Sequence, residues 1–110
     1  MVVVAQADNL QIIVADDGRA LAADGQIDSH TSNALDEALA DVAAEAEVSL
    51  DLAKVSFIDS SGLRVIVRSH KRQRGGGGRL VIVSPSETVV RLLEITGLTD
   101  QLQIRPGTAG

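Results

Sequence analysis

The chain has 110 residues, 45% hydrophobic and 23% charged, a composition that predicts one globular domain with one core. Its formal net charge of −5 and its single aromatic residue argue against direct nucleic-acid binding. Cysteine is absent, which excludes disulfides and thiol chemistry. Residues 1–5 are too short for a signal segment and no apolar run is long enough to span a membrane, so we expect a cytoplasmic protein without membrane contact.

The chain begins with the pattern of a β-hairpin. Residues 1–9 are compatible with either a short strand or a loose start. Residues 10–14 and 20–23 predict two strands. Between them lies Asp16-Asp17-Gly18, a turn signal because glycine adopts positive φ at little cost. The hairpin therefore makes part of the sheet antiparallel.

An amphipathic helix is predicted next. Gly25-Gln26-Ile27-Asp28 ends the returning strand, and three hydroxyl residues that follow are candidate helix N-caps: Ser29, Thr31 and Ser32. Apolar side chains then recur at helical spacing, at Leu35, Ala38, Leu39 and Val42. This spacing predicts a helix of three to four turns that packs on the sheet.

A strand and a second helix follow. Residues 48–52 predict a strand that leads on to 55–57, and the helical pattern begins after Gly62. Its inner stripe is Leu63, Ile66, Val67 and His70, and its outward basic residues are Arg64, Arg68, Lys71 and Arg72. Gly75 is placed to act as the C-terminal cap.

The last third of the chain predicts a buried strand and a third helix. Residues 80–83 are all apolar, as in strands buried on both faces. Ser84-Pro85-Ser86-Glu87 predicts a helix start in which Ser84 caps, Pro85 is the first helical residue and Glu87 completes a capping box. That helix runs to Gly97, residues 98–104 predict a last strand or short helix, and 105–110 a tail.

These elements predict the fold class. The order β-β-α-β-α-β-α requires crossover connections, so the later strands should be parallel and the hairpin should make the sheet mixed. We expect an α/β sandwich with four to five strands and about three to four helices. It forms one domain over residues 1–110, with its core at about 10–104.

The turn at residues 59–62 concentrates the polar chemistry. Phe57 and Ile58 precede it and are expected to anchor it in the core. Asp59-Ser60-Ser61-Gly62 then places an acid and two hydroxyls where a helix begins. One interpretation is that Asp59 or Ser60 only caps the helix. The other is that a hydroxyl here is phosphorylated by another enzyme, because the added charge at a helix N-terminus is tolerated by free amides and the macrodipole.

Catalysis and cofactor binding are not favoured. The 59–62 turn lacks the first glycine of a Gly-x-Ser-x-Gly nucleophile elbow and has no evident base. The glycine run at 75–78 follows a helix instead of preceding one, which predicts a flexible connection and not a phosphate loop. His30 and His70 have no metal-site spacing. The sequence therefore predicts a protein that is not an enzyme and that holds no metal or cofactor.

Four blocks of sequence resemble one family, the bacterial anti-sigma factor antagonists, which are single-domain STAS proteins. The blocks are Gly25-Gln26-Ile27-Asp28, Phe57-Ile58-Asp59-Ser60-Ser61-Gly62-Leu63, Gly77-Gly78-Arg79-Leu80-Val81-Ile82-Val83 and Val90-Arg91-Leu92-Leu93-Glu94-Ile95-Thr96-Gly97-Leu98. They occur in the family's order and cover about residues 10–104. The resemblance implies a STAS-type sandwich.

The resemblance also implies a partner-switching function. In this family the unphosphorylated protein binds an anti-sigma factor that is a serine kinase, which releases the sigma factor. The kinase phosphorylates the serine that matches Ser60, with Ser61 as second choice, and a metal-dependent serine phosphatase reverses the reaction. The implied partner-binding residues are Asp28, Asp59, Ser60, Ser61, Gly62, Leu63 and Arg64.

Two positions depart from the family pattern. Gln26 stands where an acid is common, and Arg64 where a small residue often follows the leucine. Gln26 lacks the carboxylate that the family pattern offers for partner contact, and the bulk of Arg64 beside the turn could alter the choice of partner. The alternative hypothesis is a STAS module that does not switch and acts as a scaffold or subunit of a sensory or lipid-transport complex, because fold alone does not determine function.

Overall fold

A computed structural model describes residues 2–7 and 9–105. The strands are β1 (Val2–Ala7), β2 (Leu10–Val14), β3 (Ala20–Ile27), β4 (Glu47–Ile58), β5 (Arg79–Val83) and β6 (Gln103–Arg105). The helices are α1 (Ser32–Ala40), α2 (Ser60–Gly75) and α3 (Glu87–Thr96), with a 3-10 turn at Leu98–Asp100. The α/β class is confirmed. The predicted order β-β-α-β-α-β-α is found from β2 to α3, with β1 before it and the 3-10 turn and β6 after it.

The strands form one mixed sheet in the order β1-β2-β3-β4-β5-β6. The pairs β1/β2 and β2/β3 are antiparallel, and the pairs from β3 to β6 are parallel. Gly18 has φ 71° in the hairpin turn, as glycine allows. The mixed sheet with an initial hairpin is as predicted.

The predicted strand count of four to five is wrong, since the sheet has six strands. The two segments that the sequence leaves ambiguous both form edge strands. β1 carries consecutive valines without period-two alternation, and β6 has only three residues, after the 3-10 turn. Arg105, the first residue of the predicted tail, belongs to β6, and residues 106–110 lie outside the described residues.

The three helices and one face of the sheet share a single apolar core. The predicted helix stripes face it: Leu35, Ala38, Leu39, Val42, Leu63, Ile66 and His70 are buried, and Val67 is half-buried. The opposite face of the sheet, around Ile13, Ala22 and Ser49, is half-buried and forms a shallow, mostly apolar groove. The molecule thus has two layers, with the helices on one side.

Three helix ends differ from the sequence-based expectation. Thr31 is at the N-cap position of α1, but its side chain makes no capping hydrogen bond. The C-cap of α2 is Gly76 instead of Gly75, and the left-handed glycine is Gly77, at φ 92°. The N-cap of α3 is Ser86 and not Ser84, so Pro85 precedes the helix.

The glycine run that follows α2 is packed against the loop before β4. The amide of Gly78 donates to the carbonyl oxygen of Ala44 at 3.0 Å. A Cβ atom at Gly78 would lie 2.1 Å from the carbonyl oxygen of Ala46. The run is the predicted helix-to-strand connection. Close contact explains Gly76 and Gly78, and a positive φ explains Gly77.

Arg72 joins the two long helices. Its guanidinium donates to the carbonyl oxygens of Leu39, at 2.8 Å, and Val42, at 3.1 Å. Leu39 lies in the last turn of α1, and Val42 lies just beyond the helix. The predicted outward-facing residue therefore caps a neighbouring helix.

Among the described residues, no helix is both long and apolar enough to cross a membrane.

Candidate functional site

The candidate site lies where β3 and β4 end side by side. Ile27 pairs with Ile58 in parallel register, and both side chains are buried. The amide of Asp59 donates to the carbonyl oxygen of Ile27 at 3.1 Å, which ties the 59–62 turn to the end of β3. Asp28 and Asp59 therefore leave the same edge of the sheet. Ligand and partner sites in parallel sheets commonly occupy this edge.

Asp59 begins α2 as its N-cap. Its backbone is extended, and its Oδ1 accepts from the amides of Ser61, at 2.9 Å, and Gly62, at 3.3 Å. These two amides have no carbonyl partner within the helix. The capping interpretation is correct for Asp59, which makes Ser60 the first helical residue.

Gly62 lets the first turn of α2 approach the sheet closely. A Cβ atom there would lie 2.5 Å from Cγ2 of Ile27 and 2.9 Å from Cγ1 of Ile58. Both distances are far below ordinary carbon contacts, so the site requires glycine for space. Since Ile27 and Ile58 are held in the core, the glycine fixes the height of Ser60 above the edge of the sheet.

The two serines of the turn differ in accessibility. Ser60 is exposed, whereas Ser61 is half-buried and its amide is bound to Asp59. An incoming kinase could reach the Ser60 hydroxyl without rearranging the helix. The exposure therefore agrees with the expected preference for Ser60 over Ser61.

Asp28 organises the loop between β3 and α1. Its Oδ1 accepts from the amides of His30, at 2.9 Å, and Thr31, at 3.1 Å. The Thr31 hydroxyl donates to the carbonyl oxygen of Gln26 at 2.8 Å and accepts from the amide of Asp28 at 2.9 Å. Desolvation raises the pKa of the Asp28 carboxyl, but the hydrogen bonds from His30 and Thr31 outweigh it, so the net pKa is lowered. The Asp28 carboxylate is thus charged, and it holds the loop through its hydrogen bonds to two backbone amides.

A groove runs along α2 from Ser60 towards the C-terminal end of the helix. We call it the α2 groove; its lining residues are Ser60, Leu63, Arg64, Val67, Arg68, Lys71 and Leu98. Its volume is about 550 Å³. Three of these seven residues are cationic, although the chain as a whole carries a formal charge of −5. The groove is therefore a local basic surface beside an exposed hydroxyl.

The predicted partner-binding residues differ in their accessibility to a partner. Arg64 is exposed and lies one helical turn from Ser60. Gly62 and Leu63 are buried, so a partner could touch little more than their edges. Asp28 and Asp59 are half-buried at the edge of the sheet. The most accessible of these side chains are those of Ser60 and Arg64.

The expectation that Phe57 anchors the turn in the core is wrong. Its side chain is 46% exposed, whereas Ile58 is 5% exposed and does lie in the core. Phe57 pairs with Gln26 and shares its face of the sheet, away from the helices. Alternation along β4 places Ile58 inward and its neighbour outward. Sequence reasoning also missed Leu98, which a 3-10 turn places at the α2 groove.

The family of the chain follows from comparison with known proteins. Residues 9–109 match the family described as the STAS domain. The chain belongs to the STAS domain family. This match covers five of the six strands, all three helices and the 59–62 turn, so the predicted family and STAS-type fold are confirmed.

Relatives of this STAS domain are named as anti-sigma factor antagonists. The anti-sigma-B factor antagonist of Staphylococcus epidermidis is 34% identical over 102 residues, which cover 91% of this chain and 94% of the relative. That of Bacillus subtilis (strain 168) is 37% identical over 87 residues, covering 78% and 80%. The crystal structure of an anti-sigma factor antagonist from Mycobacterium paratuberculosis superposes with a TM-score of 0.78 at 27% identity, covering 94% and 91%.

Proposed function

We propose that this STAS domain is an anti-sigma factor antagonist controlled by phosphorylation of Ser60. In its unphosphorylated form it binds an anti-sigma factor that is itself a serine kinase, in the cytoplasm, and so releases a sigma factor. The observation that carries the proposal is the exposed Ser60 hydroxyl, presented by Asp59 and Gly62 at the start of α2. Relatives that are 34–37% identical carry names of this function.

Phosphorylation would transfer the γ-phosphoryl group of ATP to Oγ of Ser60. ADP leaves, and the hydroxyl proton passes to a base of the kinase. The product carries roughly 1.5 to 2 additional negative charges beside Asp59. A partner that fits the uncharged turn then meets both bulk and repulsion, and a metal-dependent serine phosphatase restores the hydroxyl.

Phosphate transfer tests the proposal directly. The purified protein is incubated with ATP and each candidate anti-sigma kinase encoded in the same genome, and mass spectrometry locates the modification. We expect one phosphate, on Ser60, and none on Ser60→Ala. Ser61→Ala is the matched control and should still be labelled. Full labelling of Ser60→Ala would rule out the assigned serine.

Binding of the same kinase tests the switch. Ser60→Ala should bind with the affinity of the unmodified protein, whereas Ser60→Asp should bind at least about tenfold more weakly, because charge repulsion at a docked surface costs more than about 1 kcal/mol. Calorimetry measures both affinities. Equal affinities of the three forms, with no phosphate found in cells, would favour the alternative of a non-switching STAS module.

A further inference from the structure

The amides at the start of α2 are already occupied. Oδ1 of Asp59 accepts from the amides of Ser61 and Gly62, the second and third residues of the helix. A phosphoryl group on Ser60 would have to displace this carboxylate to use them. Two of the amides that the sequence predicts to be free are therefore already bound. Asp59 also adds a negative charge directly beside the phosphate.

Arg64 is the cation nearest in sequence on the same face of α2. Ser60 and Arg64 are separated by four residues and line the same groove. Side chains at this spacing are neighbours, with Cβ atoms about 5–6 Å apart. A guanidinium group presents paired N–H donors that match two phosphate oxygens.

The other cations of the α2 groove are less available or more distant. Arg68 forms an ion pair with Asp36 of α1, with 3.8 Å between Nη2 and Oδ2. Lys71 lies about three turns from Ser60 along the helix. Arg64 is exposed, and within residues 2–7 and 9–105 its side chain makes no hydrogen bond or ion pair. It is therefore the guanidinium that can turn to Ser60 without breaking a contact.

We propose that Arg64 binds the phosphate of phosphorylated Ser60 within the same chain. The inference rests on the proposed phosphorylation of Ser60 and adds a second part to the switch. Besides placing charge on the turn, phosphorylation draws the Arg64 side chain towards the Ser60 end of the α2 groove. Up to about two added negative charges then offset most of the groove's three positive charges.

A double-mutant cycle tests this contact without any kinase. Phosphoserine is incorporated at position 60 during translation, in the wild type, in Arg64→Gln and in Arg91→Gln. Arg91 is an exposed arginine on α3, outside the α2 groove, and serves as the matched control. We expect the phosphate to lower the melting temperature of Arg64→Gln by about 2–4 °C more than that of the wild type. In Arg91→Gln the effect of the phosphate should equal that in the wild type.

A spectroscopic readout observes the contact itself. Phosphorylation should shift the Nε–H resonance of Arg64 in a proton–nitrogen NMR spectrum and leave that of Arg91 in place. An unmoved Arg64 resonance, or an equal phosphate effect in all three proteins, would overturn the inference. Because the phosphate is installed genetically, these outcomes are separate from kinase labelling. Failure of labelling would reject the proposed function and leave both measurements interpretable.

Discussion

The position of Ser60 depends on two neighbours with different tasks. Asp59 satisfies two amides of α2 with one carboxylate oxygen, and Gly62 brings the helix against the buried Ile27 and Ile58. The first effect is a hydrogen-bonding cap, and the second is a matter of volume. Substitutions can separate the two, because each changes the stability for a different physical reason.

Gly62→Ala should destabilise the protein. The new methyl group would lie 2.5 Å from Ile27, and neither isoleucine can move without disturbing the core. Overpacking of this kind costs about 1–3 kcal/mol, of which the better helix propensity of alanine recovers less than ~1 kcal/mol. Urea denaturation measures the change.

Gly75→Ala is the matched control for Gly62→Ala. Gly75 is also a helical residue of α2, but nothing lies within 4 Å of a Cβ atom placed there. Its substitution should leave the free energy of unfolding unchanged or raise it by up to about 1 kcal/mol. An equal loss of stability in both variants would show that glycine at position 62 is not required for space.

Asp28→Asn should remove a pH-dependent part of the stability. The pKa of Asp28 is lowered below the usual 3.8, so the folded state binds the proton less readily than the unfolded state. The charged carboxylate therefore stabilises the fold above pH 3.8, and this contribution is lost as the pH falls through the folded-state pKa. The substituted amide keeps an oxygen acceptor but does not titrate.

Urea denaturation from about pH 6 down to about pH 3 tests the effect of Asp28. The stability difference between the wild type and Asp28→Asn should shrink as the pH falls, since all other carboxyl groups are shared and cancel. A difference that stays constant with pH would contradict the lowered pKa. Equal stability of the wild type and Asp28→Asn at about pH 6 would show that the loop between β3 and α1 needs only an oxygen acceptor at position 28.

At the scale of elements, the start of α3 shows why Ser86, and not Ser84, is the N-cap of the helix. The Ser86 hydroxyl accepts from the amide of Val89 at 3.4 Å and donates to the carbonyl oxygen of Val55 in β4 at 2.7 Å. It thus both caps α3 and attaches it to the sheet. Ser84 lies two residues earlier, with φ 50°, and its side chain makes no hydrogen bond within the described part of the chain.

Ser86→Ala should therefore cost about 1–2 kcal/mol of the free energy of unfolding, because it removes a cap and leaves the Val55 carbonyl unpaired. Ser84→Ala, the matched control, should stay within about 0.5 kcal/mol of the wild type. Guanidinium denaturation of the two variants in parallel compares them. A larger loss of stability in Ser84→Ala than in Ser86→Ala would show that Ser86 is not the stabilising cap.

The elements that could be predicted from the sequence are those with a strong apolar period. The stripes of α1 and α2 and the apolar run of β5 are local patterns, and they are buried as expected except at the half-buried Val67 and Val83. The edge strands β1 and β6 could not be told apart from other local structures, because pairing with a neighbour and not local sequence stabilises them. Helix caps depend on the backbone angle of one residue, which explains the shift from Ser84 to Ser86.

For the candidate site, the place of the 59–62 turn in the fold was easier to predict from the sequence than its geometry. Ser60 and Asp59 could be placed because a strand-to-helix turn exposes its first polar residues. Phe57 could not, since an aromatic residue in an apolar run is expected in the core, and only the pairing of β4 with β3 shows that it faces outward. Likewise the α2 groove depends on Leu98, which comes from a distant 3-10 turn.

At the scale of the whole molecule, burial decreases from the central strand β4 to the edge strand β1. β4 has a strand on each side, and its Val48, Leu50 and Leu52 are fully buried. β1 pairs only with β2, and its Val2, Val3 and Val4 are between 46% and 60% exposed. The site is attached to the central strand, so the edge can open without disturbing Ser60.

Hydrogen exchange should follow this gradient. Amides of β4 exchange only by unfolding of the core, whereas those of β1 need only a local opening, so β4 should exchange on the order of a hundredfold more slowly. Mass spectrometry of peptides from β1, β3 and β4 measures the exchange rates. β3 serves as an internal reference, because it pairs with a strand on each side. Exposed, uncharged edge strands readily pair with other chains. If the amides of β1 were as protected from exchange as those of β4, the outer edge of β1 would not be free. If that protection were then lost on dilution, the edge would be covered by a second copy of the chain.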